Sequence, residues 1–482
     1  MLSLPPAGRI FLATEPTRMH LSFDRLAALA RDVIRQDPLS GHPGHRGRRP
    51  ILGMDLVLPL VLLGGATAGL ALLVEPVPSW YFQCAWWSYI LAADALNRRL
   101  SGSSALRDDP RGFLRLAGIS VAWWTLFEAI NLRLGNWYYV MDHPQQAVRW
   151  AGGVLAFATV LPGVLETTQL IGHLGWLRTV RTVPLGWGMG RDRACLALGL
   201  ASLLLPLVWP EVFFPLVWLG FVFLVEPWNR RHARESFLRD LERGEAGPLC
   251  RTLVAGLVCG VLWETWNFWA RTRWIYTVPG FEAWKLFEMP IAGFLGFPPF
   301  AVECVAVVRF LDALRARGRW AGARRGLTPG LLWLATAGAV FLVFDAADRV
   351  TLDSLYVPTA RLEILPTDAR QRLAGLGLDS PERLLRALRR PDGLREWAQR
   401  SGLPAADLER VRSRVALVLH RGLGQDRAQQ LDALGVRSLE DLKGWTPGAL
   451  AAALRGQRVR PGDRFLERRV GVWLQGLNRE TR

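Results

Sequence analysis

Between residues 51 and 347 the chain is a succession of apolar runs, each near twenty residues long, and this feature removes most folds from consideration. A helix needs roughly 20 mostly apolar residues to cross a bilayer, whose dry interior requires every backbone N–H and C=O to be satisfied within the segment. Nine such runs lie near 51–74, 79–97, 113–132, 150–172, 193–209, 212–228, 251–271, 289–311 and 328–347. The expected fold class is all-α: a polytopic membrane bundle, then a soluble helical domain from residue 351 to 482.

Charge orients the bundle. The connecting segments 97–115, 173–193, 229–251 and 309–325 are rich in Arg, whereas 75–79 and 209–212 are short, acidic and contain Pro. By the positive-inside rule the basic loops are cytoplasmic, which predicts a multi-pass protein of a bacterial cytoplasmic membrane. Residues 1–50 are polar and Arg-rich without a signal-peptide core; they are expected on the cytoplasmic face, with an amphipathic surface helix over 21–35. The net charge is +17, yet Lys occurs only at 285 and 443, so the high basicity reads as a bias in composition rather than a nucleic-acid footprint. The five cysteines sit in or at the ends of apolar runs with no CxxC spacing and read as small core residues.

The chain also repeats itself. Glu128 and Asn131, Trp137 and Tyr139, and Pro162 and Glu166 recur about 136 residues later as Glu264 and Asn267, Trp274 and Tyr276, and Pro299 and Glu303. Trp86, Asp94, Asn97, Arg98 and Arg99 are matched by Trp218, Glu226, Asn229, Arg230 and Arg231. Two four-span units, 51–190 and 191–325, are therefore expected in tandem. An even number of spans makes both enter the membrane in one direction, with a pseudo-two-fold axis along its normal, and leaves 326–350 as an unpaired ninth span outside the pair.

An ionisable side chain within a span is a functional candidate by default. Glu264, Glu303, Glu128 and Glu166 are the predicted catalytic acids, lining one central cavity. A desolvated carboxyl resists ionisation, so it can hold a proton near neutral pH and offer it as a general acid or pass it along a path. Asn131 and Asn267 lie three residues beyond their glutamates and share a helix face with them. With Trp137, Tyr139, Trp274, Tyr276, Arg149 and Lys285 they form the predicted substrate-binding set. Arg149 and Lys285 are expected to neutralise one acid each or to bind an anionic head group. The structural alternative is that the Glu/Asn pairs are interhelical glue, and the ordinary reading of the tryptophans is an aromatic belt at the membrane surface. Asp94 and Glu226, one turn from an Arg pair, are expected to form interfacial ion pairs.

No cofactor and no metal are expected: the seven histidines lack HxxxH or HxxHH spacing, and there is no GxSxG elbow, P-loop or dinucleotide fingerprint in a suitable setting. The predicted function is proton chemistry of a cyclase or hydratase type on a hydrophobic isoprenoid or other lipid substrate. The alternatives are a proton- or cation-coupled transporter or lipid-handling protein, and a non-catalytic scaffold that presents the C-terminal region.

The second copy, Trp263-Glu264-Thr265-Trp266-Asn267, then Trp274-x-Tyr276, Phe287-Glu288-Met289-Pro290 and Gly296-Phe297-Pro298-Pro299-Phe300 ending at Glu303, resembles a family of uncharacterised bacterial multi-spanning proteins over residues 51–347. At greater distance, Gly135-Asn136-Trp137-Tyr138-Tyr139 with Pro162 and Glu166 resembles membrane carotenoid cyclases of the lycopene-cyclase type. Those cyclases carry adjacent acids after the proline, whereas each copy here has a single Glu. The resemblance implies protonation of a polyene by a buried acid, with aromatic faces stabilising the cation.

Beyond residue 350 a shorter repeat appears: Leu373, Gly377, Ser380, Glu382 and Leu384 match Leu431, Gly435, Ser438, Glu440 and Leu442. Gly422-Leu423-Gly424 followed by Ala428 and Leu431 resembles a helix-hairpin-helix turn, which in that family can donate backbone amides to a phosphate. Thr367 and Asp368 replace the glycine turn in the first copy, and acids are interspersed with the arginines. A protein partner or self-packing is expected for this region, and nucleic acid is not. Nine spans from an inside start also send it outside.

Overall fold

The computed structural model describes residues 53–278, 284–317, 327–457 and 459–480. The segment 1–50, with its expected surface helix at 21–35, lies outside the described residues. The described chain is mostly helical, and seven helical stretches are long and apolar enough to cross a membrane: Met54–Ala71, Pro110–Leu134, Gln146–His173, Pro210–His232, Gly247–Trp269, Ile291–Ala316 and Gly330–Val350. The other two expected spans are helices of similar length, Val77–Ser101 and Met189–Val208. The first is diluted by Trp, Tyr, Ser and Gln, and the second opens on Arg191-Asp192-Arg193. In chain order we call the long helices α1 (Met54–Ala71), α2 (Val77–Ser101), α3 (Pro110–Leu134), α4 (Gln146–Phe157), α5 (Val160–His173), α6 (Met189–Val208), α7 (Gly220–His232), α8 (Gly247–Trp269), α9 (Phe297–Ala316) and α10 (Leu327–Val350). The break between α4 and α5 precedes Pro162 and is stitched by Ser120, whose hydroxyl donates to the Phe157 carbonyl at 2.5 Å and accepts from the Leu161 N–H at 3.0 Å.

Residues that match in the sequence repeat make matching contacts. Asp94 accepts from the Ser104 hydroxyl at 2.6 Å and the Leu106 N–H at 3.0 Å, and Glu226 accepts from the Ser236 hydroxyl at 2.8 Å and the Leu238 N–H at 3.0 Å. Ser104 and Ser236 each cap a short helix in the following loop. The carboxylates therefore tie a long helix to the N-terminus of a short one, where anions are favoured. This corrects the expected ion pairs. The arginines turn elsewhere, Arg99 to Asp55, Arg231 to Asp192 and Arg230 to Glu242. Asn97 donates to the Glu166 carbonyl at 3.0 Å and Asn229 to the Ala306 carbonyl at 2.8 Å, one turn further along the matching helix.

The Trp-x-Tyr segments are not helical, which amends the all-α expectation. They form β1 (Trp137–Val140) and β2 (Arg273–Tyr276), paired antiparallel with Trp137 opposite Tyr276 and Tyr139 opposite Trp274. Equivalent residues thus exchange places across the ribbon. Asn131 and Asn267 hold each strand to its own helix. Asn131 donates to the Trp137 carbonyl at 2.9 Å and accepts from the Asn136 N–H at 2.8 Å, and Asn267 donates to the Trp274 carbonyl at 2.9 Å and accepts from its N–H at 3.0 Å.

Beyond α10, residues 351–356 run beside the free edge of β1, exchanging backbone hydrogen bonds with Tyr139 and Asp142. The C-terminal helices pack around their own core, in which Leu373, Leu384, Leu431 and Leu442 are fully buried. Gly377 and Gly435 both adopt left-handed backbone after their helices, as such C-caps require, and Ser380 and Ser438 both cap the helix that follows. A buried network ties this region to the end of α10: Asp353 accepts from Arg427 at 3.0 Å and Arg469 at 2.8 Å, and Arg427 also donates to Asp463 at 2.7 Å. Burial would raise the Asp353 carboxyl, but the Arg427 and Arg469 guanidiniums outweigh it and hold it below the usual carboxylate range.

Candidate functional site

A cavity of about 200 Å³ runs from the β1–β2 ribbon into the helices. Its walls are aromatic: Phe82, Trp124, Trp218, Trp263, Trp274 and Phe300 are among the lining residues. The rings support one another, with Phe82 and Trp274 centroids 5.0 Å apart, Trp124 and Trp263 4.9 Å apart, and Trp218 and Phe300 5.5 Å apart edge to face.

Glu128 is the one predicted catalytic acid in this wall. It is 1 % exposed, and its Oε1 accepts from the Tyr139 hydroxyl at 2.6 Å, the Trp124 indole at 2.9 Å and the Trp137 indole at 3.2 Å. Three donors on one carboxyl oxygen form a preorganised cradle for a carboxylate. Trp137 and Tyr139 come from β1, so their alternation with Tyr138 turns both toward Glu128 while Tyr138 faces Arg469 on the other side. The belt reading of Trp137 is thereby corrected: it is buried and aimed inward.

The single chamber lined by four carboxyls, expected from the sequence, is not what the described residues form. Glu264 lies behind the cavity wall and reaches it through Tyr276, whose hydroxyl donates to Glu264 Oε1 at 2.8 Å; among the described residues Glu264 Oε2 has no hydrogen-bond partner. Glu166 is held by the Asn97 amide at 2.7 Å, away from the cavity. Glu303 accepts from the Phe221 N–H at 2.7 Å in the first turn of α7, and among the described residues its Oε2 also has no hydrogen-bond partner. Short-range helix packing separates them. Glu166 bonds to α2 and Glu303 to α7 rather than to one another.

The halves differ for a reason visible in single residues. Trp124 in α3 corresponds to Gly260 in α8, and a Cβ at Gly260 would stand 2.4 Å from the Phe297 ring. Phe297 thus fills in the second half the space that the Trp124 indole takes beside Glu128. Likewise Gly163 receives the Trp86 ring, which a Cβ would meet at 2.7 Å, where the second copy has Phe300. The cavity is one-sided, open to Glu128 and closed to Glu264.

Of the predicted binding residues, Trp137, Tyr139, Trp274, Tyr276 and Arg149 line the cavity, while Asn131, Asn267 and Lys285 do not. Arg149 neutralises none of the four glutamates. It makes a two-pronged pair with Asp348 at 2.7 and 3.2 Å, which the Trp150 indole joins at 3.0 Å. This pair draws α10 against the cavity mouth, so that helix, expected to stand apart, contributes Phe344, Ala347 and Asp348 to the lining. Lys285 donates to the Tyr276 carbonyl at 2.8 Å. Sequence reasoning missed Trp124, Trp263, Phe82 and Asp142. Trp263 and Trp124 each lie one turn from a recognised residue, and that spacing was the available signal. Burial pushes the Asp142 carboxyl up to about 7, although the His143 N–H donates to it and Arg149 lies near.

The turn at Gly422-Leu423-Gly424 faces the ribbon. A Cβ at Gly422 would lie 2.5 Å from Val140 and one at Gly424 2.5 Å from Ser354, and the Ser354 hydroxyl donates to the Gly422 carbonyl at 2.5 Å. Residues 364–475 match the model of a family described as a domain of unknown function, DUF4332. No curated protein and no solved structure matches the chain.

Proposed function

We propose that this is a multi-pass membrane protein of two fused four-helix units related by a pseudo-two-fold axis, and that it carries out proton-transfer chemistry on an apolar isoprenoid or other lipid substrate. The observation that carries the reading is an aromatic-walled cavity with the Glu128 carboxyl in its wall, cradled by Tyr139, Trp124 and Trp137. Glu128 gives its proton to a substrate double bond, forming a C–H bond and a carbocation. The three donors take up the negative charge left on the carboxylate, and the ring faces stabilise the cation. Loss of a proton from a carbon beside the cation, back to Glu128, restores both the acid and a double bond. Cyclase and hydratase reactions share this first step.

Mass-spectrometric identification of apolar compounds bound to the purified protein tests the reading. Wild type and Glu128→Gln should both retain an unsaturated compound, which accumulates unconverted in the variant. Recovery of bulk membrane lipids alone, in membrane proportions, would count against it.

Transport is the second reading, favoured by the partnerless Oε2 atoms of Glu264 and Glu303, where a proton or small cation would sit. Proton uptake into proteoliposomes that is lost in Glu264→Gln and retained in Glu128→Gln would favour it. For the C-terminal region we infer an intramolecular role. The glycine turn that would otherwise offer its amides to a phosphate is packed on Val140 and Ser354, and the region anchors the β1 edge that carries Tyr139.

A further inference from the structure

A second cleft, of about 550 Å³, lies between the C-terminal region and the ends of α3 and α6, lined by Arg133, Arg455, Arg464, Arg468, Glu211 and Glu467 around Phe465. Phe465 seats it: the ring lies over the C-cap of α3, where Gly135 is left-handed and a Cβ would stand 2.5 Å from the ring. The Arg464 and Arg468 guanidiniums lie 4.7 and 5.9 Å from that ring's centre.

Helix capping accounts for part of this cluster. Arg464 donates to the Leu132 carbonyl, Arg468 to the Leu134 carbonyl at 3.1 Å, and Arg133 to the Val208 carbonyl at 3.4 Å, all at the electronegative ends of α3 and α6. Capping leaves a surplus, because each guanidinium carries five N–H donors in a fork suited to phosphate. Among the described residues only Arg468 of the four arginines is in an ion pair, with Glu211. Four cations therefore face two carboxylates. Burial, and to a lesser degree the neighbouring Arg133 and Arg469, lowers the Arg464 guanidinium from its ordinary value.

What adjoins the cleft is apolar. From Arg133's partner Val208 the surface runs along α6 through exposed Leu204 and Leu207, and Trp209 and Val212 stand exposed beside Pro210 and Glu211. An amphipathic indole next to a cationic cleft is the pattern of a membrane–water boundary. We propose that this cleft binds the phosphate diester of an anionic phospholipid, held by Arg133, Arg464 and Arg468, with its acyl chains along the exposed face of α6. The inference rests on the membrane reading given above.

The test uses the full-length protein in nanodiscs of dioleoylphosphatidylcholine with increasing dioleoylphosphatidylglycerol, reading melting temperature and, by native mass spectrometry, lipids retained per protein. Wild type should melt higher with phosphatidylglycerol and retain it selectively. Arg133→Gln and Arg464→Gln should each weaken that preference about tenfold, the effect of one lost charge-assisted contact. Arg133→Gln, which gives up only a long bond to a carbonyl, keeps the test valid if Arg464→Gln does not fold. Equal behaviour in the two lipids, an unchanged preference in the folded variant, or an equal rise with inorganic phosphate would each overturn the proposal. A protein that stays soluble and monodisperse without detergent would instead defeat the membrane reading itself.

Discussion

Replacing Arg427 by Met tests how the C-terminal region is held against the ribbon that carries Tyr139. Arg427 and Asp353 are each 1 % exposed at the side chain, and Arg427 also reaches Asp463, which is 2 % exposed. Two guanidiniums and two carboxylates balance in the wild type; the variant leaves both acids sharing Arg469 or unpaired. Breaking a buried pair by removing one partner typically costs about 3–5 kcal/mol, because the remaining charge is left without compensation. At about 1.4 kcal/mol per factor of ten, the open population of the C-terminal region should rise roughly 100- to 3000-fold. Native-state proteolysis in detergent, which follows that population when reclosing is fast, reads the change directly. The pH dependence supplies a second check. Asp353 is held below its ordinary value, so in the wild type its stabilisation is present above about 3.8 and is lost as pH falls through the lower folded value. Without Arg427 burial prevails and Asp353 takes up a proton at higher pH, so the difference between the two proteins should be greatest near neutrality and shrink toward pH 4. An open population changed less than about threefold, with no dependence on pH, would refute the reasoning.

Further consequences can be checked alongside. Tyr139→Phe removes the 2.6 Å hydrogen bond to Glu128 and should lower turnover of the bound compound by about ten- to a hundredfold, with little change in melting temperature. Asp142 has its folded value raised from 3.8 to about 7, so stability is fully present below 3.8 and declines as pH rises through 7; Asp142→Asn should abolish that decline in melting curves between pH 5 and 9. Gly422→Ala forces a side chain into a left-handed residue 2.5 Å from Val140, and proteolysis should find the C-terminal region more open by roughly the five- to thirtyfold that about 1–2 kcal/mol of backbone strain implies. Phe297→Ala should empty the space beside Gly260 and give Glu264 access to the cavity, read as a larger ligand capacity by native mass spectrometry.

Much of the helical layout was legible because apolar length is a local property. All nine expected runs fall mainly on helices, although 150–172 is broken between α4 and α5 and 212–228 before α7, and seven helical stretches are apolar enough to cross a membrane. The Glu/Asn/Trp/Tyr repeat named residues that meet in space, since Trp137 and Tyr139 both donate to Glu128. Hydrogen-bond partners were not legible. Asp94 and Glu226 stand one turn from arginines, yet a serine ten residues further on in each copy wins them through the geometry of the loop. The separation of the four glutamates turns on side-chain volume at positions such as Trp124 and Gly260, which a search for shared residues passes over because they differ. The strands at Trp137–Val140 and Arg273–Tyr276 are equally non-local: four residues each, they exist because each pairs with the other.

Deuterium transfer is the most direct probe of proton chemistry at Glu128. The compound recovered from the purified protein is incubated with it in deuterated buffer, re-extracted, and weighed by high-resolution mass spectrometry. Wild type should place solvent deuterium on carbon in the compound or its product, and Glu128→Gln should place none while still binding it. No incorporation by the wild type, or equal incorporation by both proteins, would contradict an acid–base role for this carboxyl.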